Sequence, residues 1–339
     1  MSLFAFTREL IDVPSVTGGE GEFARFLAAR LEREGYAVEL QEVEGERANV
    51  IATTARAPRV VLSTHTDTVP PHIASREDDE YVYGRGACDA KGIIAAQLFA
   101  AAALRSEGVE EFGLLFTVDE ELGSLGARAA NRHPLAASCR YLINGEPTDN
   151  LLAVGSKGSL RVRLAAVGRA AHSAYPEQGE SAVEKLLDVL RDIREAAWPR
   201  DEFFGETTCN VGTIAGGTAP NVIPAEAEAV LQFRLVTESS RVRGQLERVA
   251  AGRARVEQLS ASEPVRMLAV EGFEQTVVRF TTDIPYLDRW GVPLLVGPGS
   301  ILDAHTERER VSKRELERAV GLYTKLVRAL LARDRKDSK

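Results

Sequence analysis

The apolar positions of this chain follow two different rhythms, and the change between them falls near residue 155. Upstream, Leu3, Phe4, Phe6, Leu10 and Ile11 keep helical spacing until Pro14 interrupts it. Phe23, Phe26, Leu27 and Leu31 then give a second helix, over residues 20–35, one apolar face. Strands are predicted at 37–43, 49–53 and 59–63, and the last runs straight into His65-Thr66-Asp67. A turn-rich loop leads to Gly84-Arg85-Gly86-Ala87-Cys88-Asp89 and to an Ala-rich helix over 91–106. Two further apolar runs, 113–117 and 141–144, predict buried strands that end at Asp119-Glu120-Glu121 and Gly145-Glu146-Pro147. Strands alternating with helices predict an α/β fold, a central mixed sheet flanked by helices.

Downstream the segments read strand 159–167, helix 180–196, strands 207–214 and 227–236, helix 239–250 and strand 254–259. The helix carries Val183, Leu186, Leu187, Leu190 and Ile193 on one side. That order of elements is the ferredoxin-like split arrangement. From about Pro264 the pattern returns to the first kind and closes with a helix over 313–333. The expected organisation is a discontinuous domain, 1–155 and 265–339, with a smaller α+β domain inserted at 156–264.

Composition narrows the partners. At 339 residues each half is long enough to bury a core. A net charge of -8 speaks against a nucleic-acid or anionic-membrane partner. No apolar run approaches the ~20 residues that span a bilayer. The N-terminus has no signal-peptide layout, and Cys88, Cys139 and Cys209 are scattered and odd in number, which suits a reducing compartment. A cytoplasmic protein is expected.

The chemistry gathers at strand ends. His65, Asp89, Glu120, Glu121, Glu146 and the late His305 stand at or near the carboxyl ends of predicted strands, where α/β folds collect ligands. Two imidazoles with several carboxylates suit two divalent ions of borderline softness, such as zinc, with cobalt or manganese as substitutes. Two close dications need an anion between them, and one carboxylate can serve with an oxygen for each. Adjacent Glu120 and Glu121 allow one to bind metal while the other moves a proton. His72 and His133, in loops beside prolines, read as structural or solvent-facing, and Cys88 as a packing residue.

In order along the chain, STHTDTVP, GRGACDAKG, TVDEELGS, NGEPT and GPGSILDAHT resemble the dinuclear zinc metallopeptidase family of aminoacylases, carboxypeptidase G, acetylornithine deacetylase and succinyl-diaminopimelate desuccinylase. The resemblance covers essentially the whole chain and is nearest to acetylornithine deacetylase. It implies a zinc-exopeptidase-like catalytic domain with an inserted lid and dimerisation domain. His65 and Glu146 would hold one metal, Glu121 and His305 the other, and Asp89 would bridge. Glu120 would be the general base, and Asp67 would fix the His65 tautomer. A cis peptide is implied at Asp89–Ala90. GRAAHSAYP resembles the lid segment whose histidine, His172 here, stabilises the oxyanion in a partner subunit's site. Asn221 of GGTAPNVIP and Arg234 of LQFRLV would recognise a substrate carboxylate. FTTDIPYL stands where several relatives carry a glycine-richer substrate loop.

The function so implied is removal of an acyl group from an N-acyl amino acid, such as N2-acetylornithine, by a homodimer that uses two divalent ions. A di- or aminopeptidase, or a hydrolase releasing lysine from an acidic carrier protein, uses the same chemistry. An inactive metal-binding scaffold is the alternative of another class.

Overall fold

A computed structural model describes residues 1–54 and 56–337. It divides into two compact units, Met1–Val154 with Met267–Thr276 and Thr282–Lys339, and Gly155–Arg266 with Val277–Thr281. The return of Val277–Thr281 to the second unit is a crossing that the hydropathy pattern does not show. There the backbone N–H of Lys157 donates to the Val278 carbonyl at 3.1 Å.

The first unit begins with helices α1 (Leu3–Asp12) and α2 (Gly21–Arg33), then strands β1 (Ala37–Glu44), β2 (Arg47–Thr53) and β3 (Val60–His65). Helix α3 (Lys91–Ser106) and strands β4 (Phe112–Thr117), β5 (Tyr141–Asn144) and β6 (Leu152–Ser156) follow. β3 pairs in parallel with both β4 and β5, while β1, β2 and β4 pair antiparallel, so the central sheet is mixed. β3, β4 and β5 are buried along their whole length, as parallel strands covered on both faces must be.

Strand alternation assigns their side chains to two cores. Val60, Leu62, Leu114, Phe116 and Ile143 face one way, into a cluster with α1, α2 and α3. Val61, Leu115 and Leu142 face the other, against Ala127, Ala130 and the buried Trp290. The Trp290 indole N–H reaches the Ala130 carbonyl at 3.1 Å. His133 stacks on Trp290 and accepts the Leu135 N–H, the structural part expected of it.

The second unit is a four-stranded antiparallel sheet of β7 (Gly158–Val167), β8 (Thr208–Gly216), β9 (Glu226–Leu235) and β10 (Arg255–Ser262), in the order β8-β9-β7-β10. Helices α4 (Ala182–Glu195) and α5 (Ser239–Ala250) complete the ferredoxin-like arrangement. α4 starts two residues later than its apolar pattern suggests, because the Ser181 hydroxyl caps it on the Glu184 N–H.

The chain then returns to the first unit with β11 (Val292–Leu295), parallel to β5 and antiparallel to β6, and ends in α6 (Lys313–Asp337), which packs on α3. Sequence pattern misses β6 and β11, short strands without alternation. Among the described residues no helix is long and apolar enough to cross a membrane.

Gly291, which feeds β11, has φ +83 and would set a Cβ 2.4 Å from the Arg140 backbone; Gly108, at φ +79, faces open space. Gly291→Ala is expected to melt at least ~3 °C below Gly108→Ala, since both share the left-handed penalty and only one adds a clash. Equal melting temperatures would show that the β5–β11 approach is not tight.

Candidate metal centre

The carboxyl ends of β3, β4 and β5 lie side by side, and each continues into a polar residue. His65 is the last residue of β3, Glu120 and Glu121 follow β4, and Glu146 follows β5. Asp89 lies just before α3, and the Asp89–Ala90 peptide is cis, as the resemblance implies. His305 sits in a turn after β11 at φ +63. His65, Asp89 and Glu121 each offer a ligand atom, all within 4.8 Å of one another.

The contacts within this cluster join imidazole nitrogens to carbonyl and carboxylate oxygens. His65 Nδ1 is 2.9 Å from the Asp67 carbonyl, which can only accept, so Nδ1 carries the proton. Its Nε2 faces Asp89 Oδ1 at 2.8 Å. Burial would lower the ring, but Asp67 and Asp89 outweigh it and raise the ring well above the ordinary imidazole value, so that a proton occupies the place a divalent ion would take. His305 Nε2 stands 3.0 Å from Glu121 Oε1 and 3.3 Å from Asp89 Oδ2. Asp89 therefore shows one oxygen to each histidine. Glu146 Oε1 is buried without a hydrogen-bond partner among the described residues. Converging N and O donors, an orphaned carboxylate oxygen and a surplus of buried acids all fit divalent cations.

Electrostatics agree. Burial, reinforced by neighbouring carboxylates, pushes Glu120 and Glu146 well above the usual carboxylate range. Glu121 is raised, first by burial. Burial alone would raise Asp89, but its hydrogen bonds to His305 and His65 hold it below the ordinary value. His305 is pushed up to about 10 by Asp89 and then Glu121.

Asp67 does more than expected, and differently. Its main-chain carbonyl, rather than its carboxylate, makes the close contact with His65; the carboxylate lies 3.5 Å from Nδ1. That carboxylate accepts the N–H groups of Glu120 (3.1 Å) and Glu121 (3.2 Å) and the Thr17 hydroxyl (3.0 Å). It thereby shapes the turn that separates the two glutamates: Glu121 meets His305, while the Glu120 carboxylate makes no hydrogen bond among the described residues. Asp119, at φ +70, is held from the other side by Arg47 at 2.6 Å, and Arg47 also forks onto the buried Glu20.

Two acids near the centre are not evident from the motifs. Asp283, in FTTDIPYL, is buried, accepts the Thr117 hydroxyl at 2.8 Å and is raised to about 6 by burial. Glu309 pairs with Arg85 at 2.7 Å and accepts the Cys88 and Asp89 N–H groups, so it orients the Asp89 backbone. Asp283 stands among apolar residues, a weak signal, whereas Glu309 lies in the charged run TERER, where nothing marks it for burial. Cys88 is buried, and burial pushes its thiol well up, in keeping with a packing part.

The remaining candidates lie on the second unit. His172 is exposed, its Nδ1 accepts the Ala174 N–H, and it bridges to Val222; the next N–H, from Ser173, reaches the Asn221 carbonyl. His172 and Asn221 are thus neighbours. Arg234 pairs with Thr208 near the far end of β9, whereas Asn221 precedes its start at Glu226. At ~3.3 Å per residue those ends are more than ~20 Å apart, so within one unit Asn221 and Arg234 do not share a carboxylate.

Comparison with known proteins adds a lineage. The peptidase dimerisation domain matches residues 154–254, and peptidase family M28 matches residues 49–188. A peptidase M20 domain-containing protein of Schizosaccharomyces pombe is 37% identical over 96% of this chain and 84% of its own length. A probable carboxypeptidase of Aspergillus clavatus is 38% identical over 98% of this chain and 83% of its own. The crystal structure of a Staphylococcus aureus tripeptidase superposes with TM-score 0.80 at 21% identity, covering 96% of this chain and 98% of that one.

Two expectations follow from the geometry. Arg47→Met should release the 118–126 turn, raising deuterium uptake there and weakening divalent-ion binding by about tenfold, the scale of a lost charge-assisted hydrogen bond; unchanged uptake would remove Arg47 from the account. Metal-free protein should lose stability as pH rises from about 4 to about 7. Asp283, raised to about 6, and Glu309, raised to about 7 by burial, contribute stability below the ordinary carboxylate range that is lost as each deprotonates. Bound cations should flatten that slope in thermal melts, and identical slopes with and without metal would contradict the charge argument.

Proposed function

The chain belongs to the M20 peptidase family, and from that premise we propose that it hydrolyses an amide bond next to a free carboxylate, in short peptides or N-acyl amino acids. The observation that carries this reading is the division of labour at the β4 end. One carboxylate of the Glu120–Glu121 pair joins the histidine cluster, and its neighbour is left unpaired beside it.

His65, Asp89, Glu121, Glu146 and His305 would hold two divalent ions, with zinc the natural choice for nitrogen and oxygen donors. The chemistry they supply when bound is polarisation of the scissile carbonyl and neutralisation of charge on its oxygen. Glu120, raised by burial, is a base strong enough to take a proton from the attacking water. As the C–O bond forms and the C–N bond breaks, Glu120 passes that proton to the departing amine nitrogen. Asp67 keeps Glu120 in reach through its backbone N–H, and Glu309 keeps Asp89 in place the same way.

His172 is assigned as a donor to the developing oxyanion, supplied across a homodimer formed by the second unit. Asn221 and Arg234 are assigned to the substrate carboxylate, from different ends of β9 and therefore from different subunits. The match to a dimerisation domain supports that assembly. The free thiols of Cys88, Cys139 and Cys209 support a cytoplasmic setting.

Relatives named as peptidases shift the substrate from the expected N2-acetylornithine toward peptides with a free C-terminus. N2-acetylornithine stays as one member of the test panel, with a lysine-bearing carrier as another.

The test is that panel, with C-terminal amides as blocked controls, run on the metal-loaded protein and on Glu120→Ala. Free-acid substrates should be cleaved and amides spared, and Glu120→Ala should keep its metal while losing at least ~10²-fold in kcat. Turnover within a few-fold of the parent protein in Glu120→Ala would remove the base, and equal cleavage of amides would remove carboxylate recognition.

A further inference from the structure

The second unit contains a cavity of about 410 Å³ whose lining includes Lys157, Arg200, Asp201, Glu206, Thr208 and Arg279. In a chain of net charge -8 this lining is positive on balance, with three cations against two acids. Both acids are already engaged. The Asp201 carboxylate accepts the N–H groups of Phe203 and Phe204 at 2.9 and 2.8 Å, and Glu206 pairs with Arg200 at 3.1 Å.

Lys157 and Arg279 are left without a carboxylate. Lys157 is only 4% exposed, and its ammonium donates to the main-chain carbonyl of Glu206. Arg279 makes no side-chain hydrogen bond or ion pair among the described residues. Burial, and then the charge of Arg279, lowers the Lys157 pKa from its ordinary value. A buried ammonium beside a second cation is costly unless an anion meets them. Their spacing is set by the backbone, because the Lys157 N–H bonds the carbonyl of Val278, the residue before Arg279.

We propose that this cavity binds a small oxyanion, with Lys157 and Arg279 as its charged donors. The pairing suits that chemistry: a guanidinium presents a planar fork to two oxygens, and an ammonium supplies a compact charge. The volume admits a single small molecule. Sulfate-like and carboxylate ligands share these requirements, and the experiment separates them.

Binding is measured by isothermal titration and by thermal shift on the whole 339-residue, metal-loaded chain, at constant ionic strength. The probes are sodium sulfate and, separately, sodium acetate. Saturable binding of either is expected, weakened about tenfold or more by Lys157→Met and by Arg279→Gln. A response to sulfate alone assigns a tetrahedral anion, and one to acetate alone assigns a carboxylate. Glu146→Gln separates anion binding at the metal centre and should leave the response unchanged. Arg279 is exposed, so its substitution remains informative even if Lys157→Met does not fold. No saturable binding of either probe, or parental affinity in Arg279→Gln, overturns the proposal.

Discussion

The structure turns on a surplus of carboxylates gathered where three parallel strands end. Carboxylates this close in a low-dielectric setting repel one another, and each gives up hydration to be there. Two histidines cannot offset Asp67, Asp89, Glu120, Glu121, Glu146 and Asp283. Without added positive charge the repulsion is relieved by protonating the raised acids, and divalent ions would relieve it with the carboxylates ionised. The unpaired Glu146 oxygen and the contact of the His65 imidazole with Asp89 mark where that charge would sit.

The fold supplies this crowding at little local cost. β3, β4 and β5 are apolar throughout, and their alternation feeds two separate cores. Rigid, buried strands deliver their terminal residues to a common edge without a long loop. What loops there are, notably 118–126, are held by Asp67, Arg47 and Asn49, which bonds both the Val118 N–H and the Gly126 carbonyl. Precision at Glu120 thus comes from residues at the ends of β2 and β3, far away in sequence.

Much of this was legible in the sequence because the ligands sit directly beside strong strand signals. His65 follows 59–63, the glutamate pair follows 113–117, and Glu146 follows 141–144. The ferredoxin-like unit was legible because its two central strands, β7 and β9, alternate along their length and its helices are amphipathic. Asp283 and Glu309 were not, since a lone acid in a loop carries no period and its burial depends on distant packing. Nor was the part played by Asp67. The resemblance implied that Asp67 fixes the His65 tautomer; the turn beyond β4 brings two N–H groups to its carboxylate, and its carbonyl makes the nearer contact with the imidazole. The separation of Asn221 from Arg234 likewise depends on sheet register, which adjacent motifs do not reveal.

The most direct measurement is metal stoichiometry after reconstitution, with anomalous scattering to locate the ions. The account expects two ions per chain, one beside His65 and Glu146 and one beside Glu121 and His305, with Asp89 contacting both. A chain that takes up no divalent ion, or binds its ions elsewhere, would contradict it.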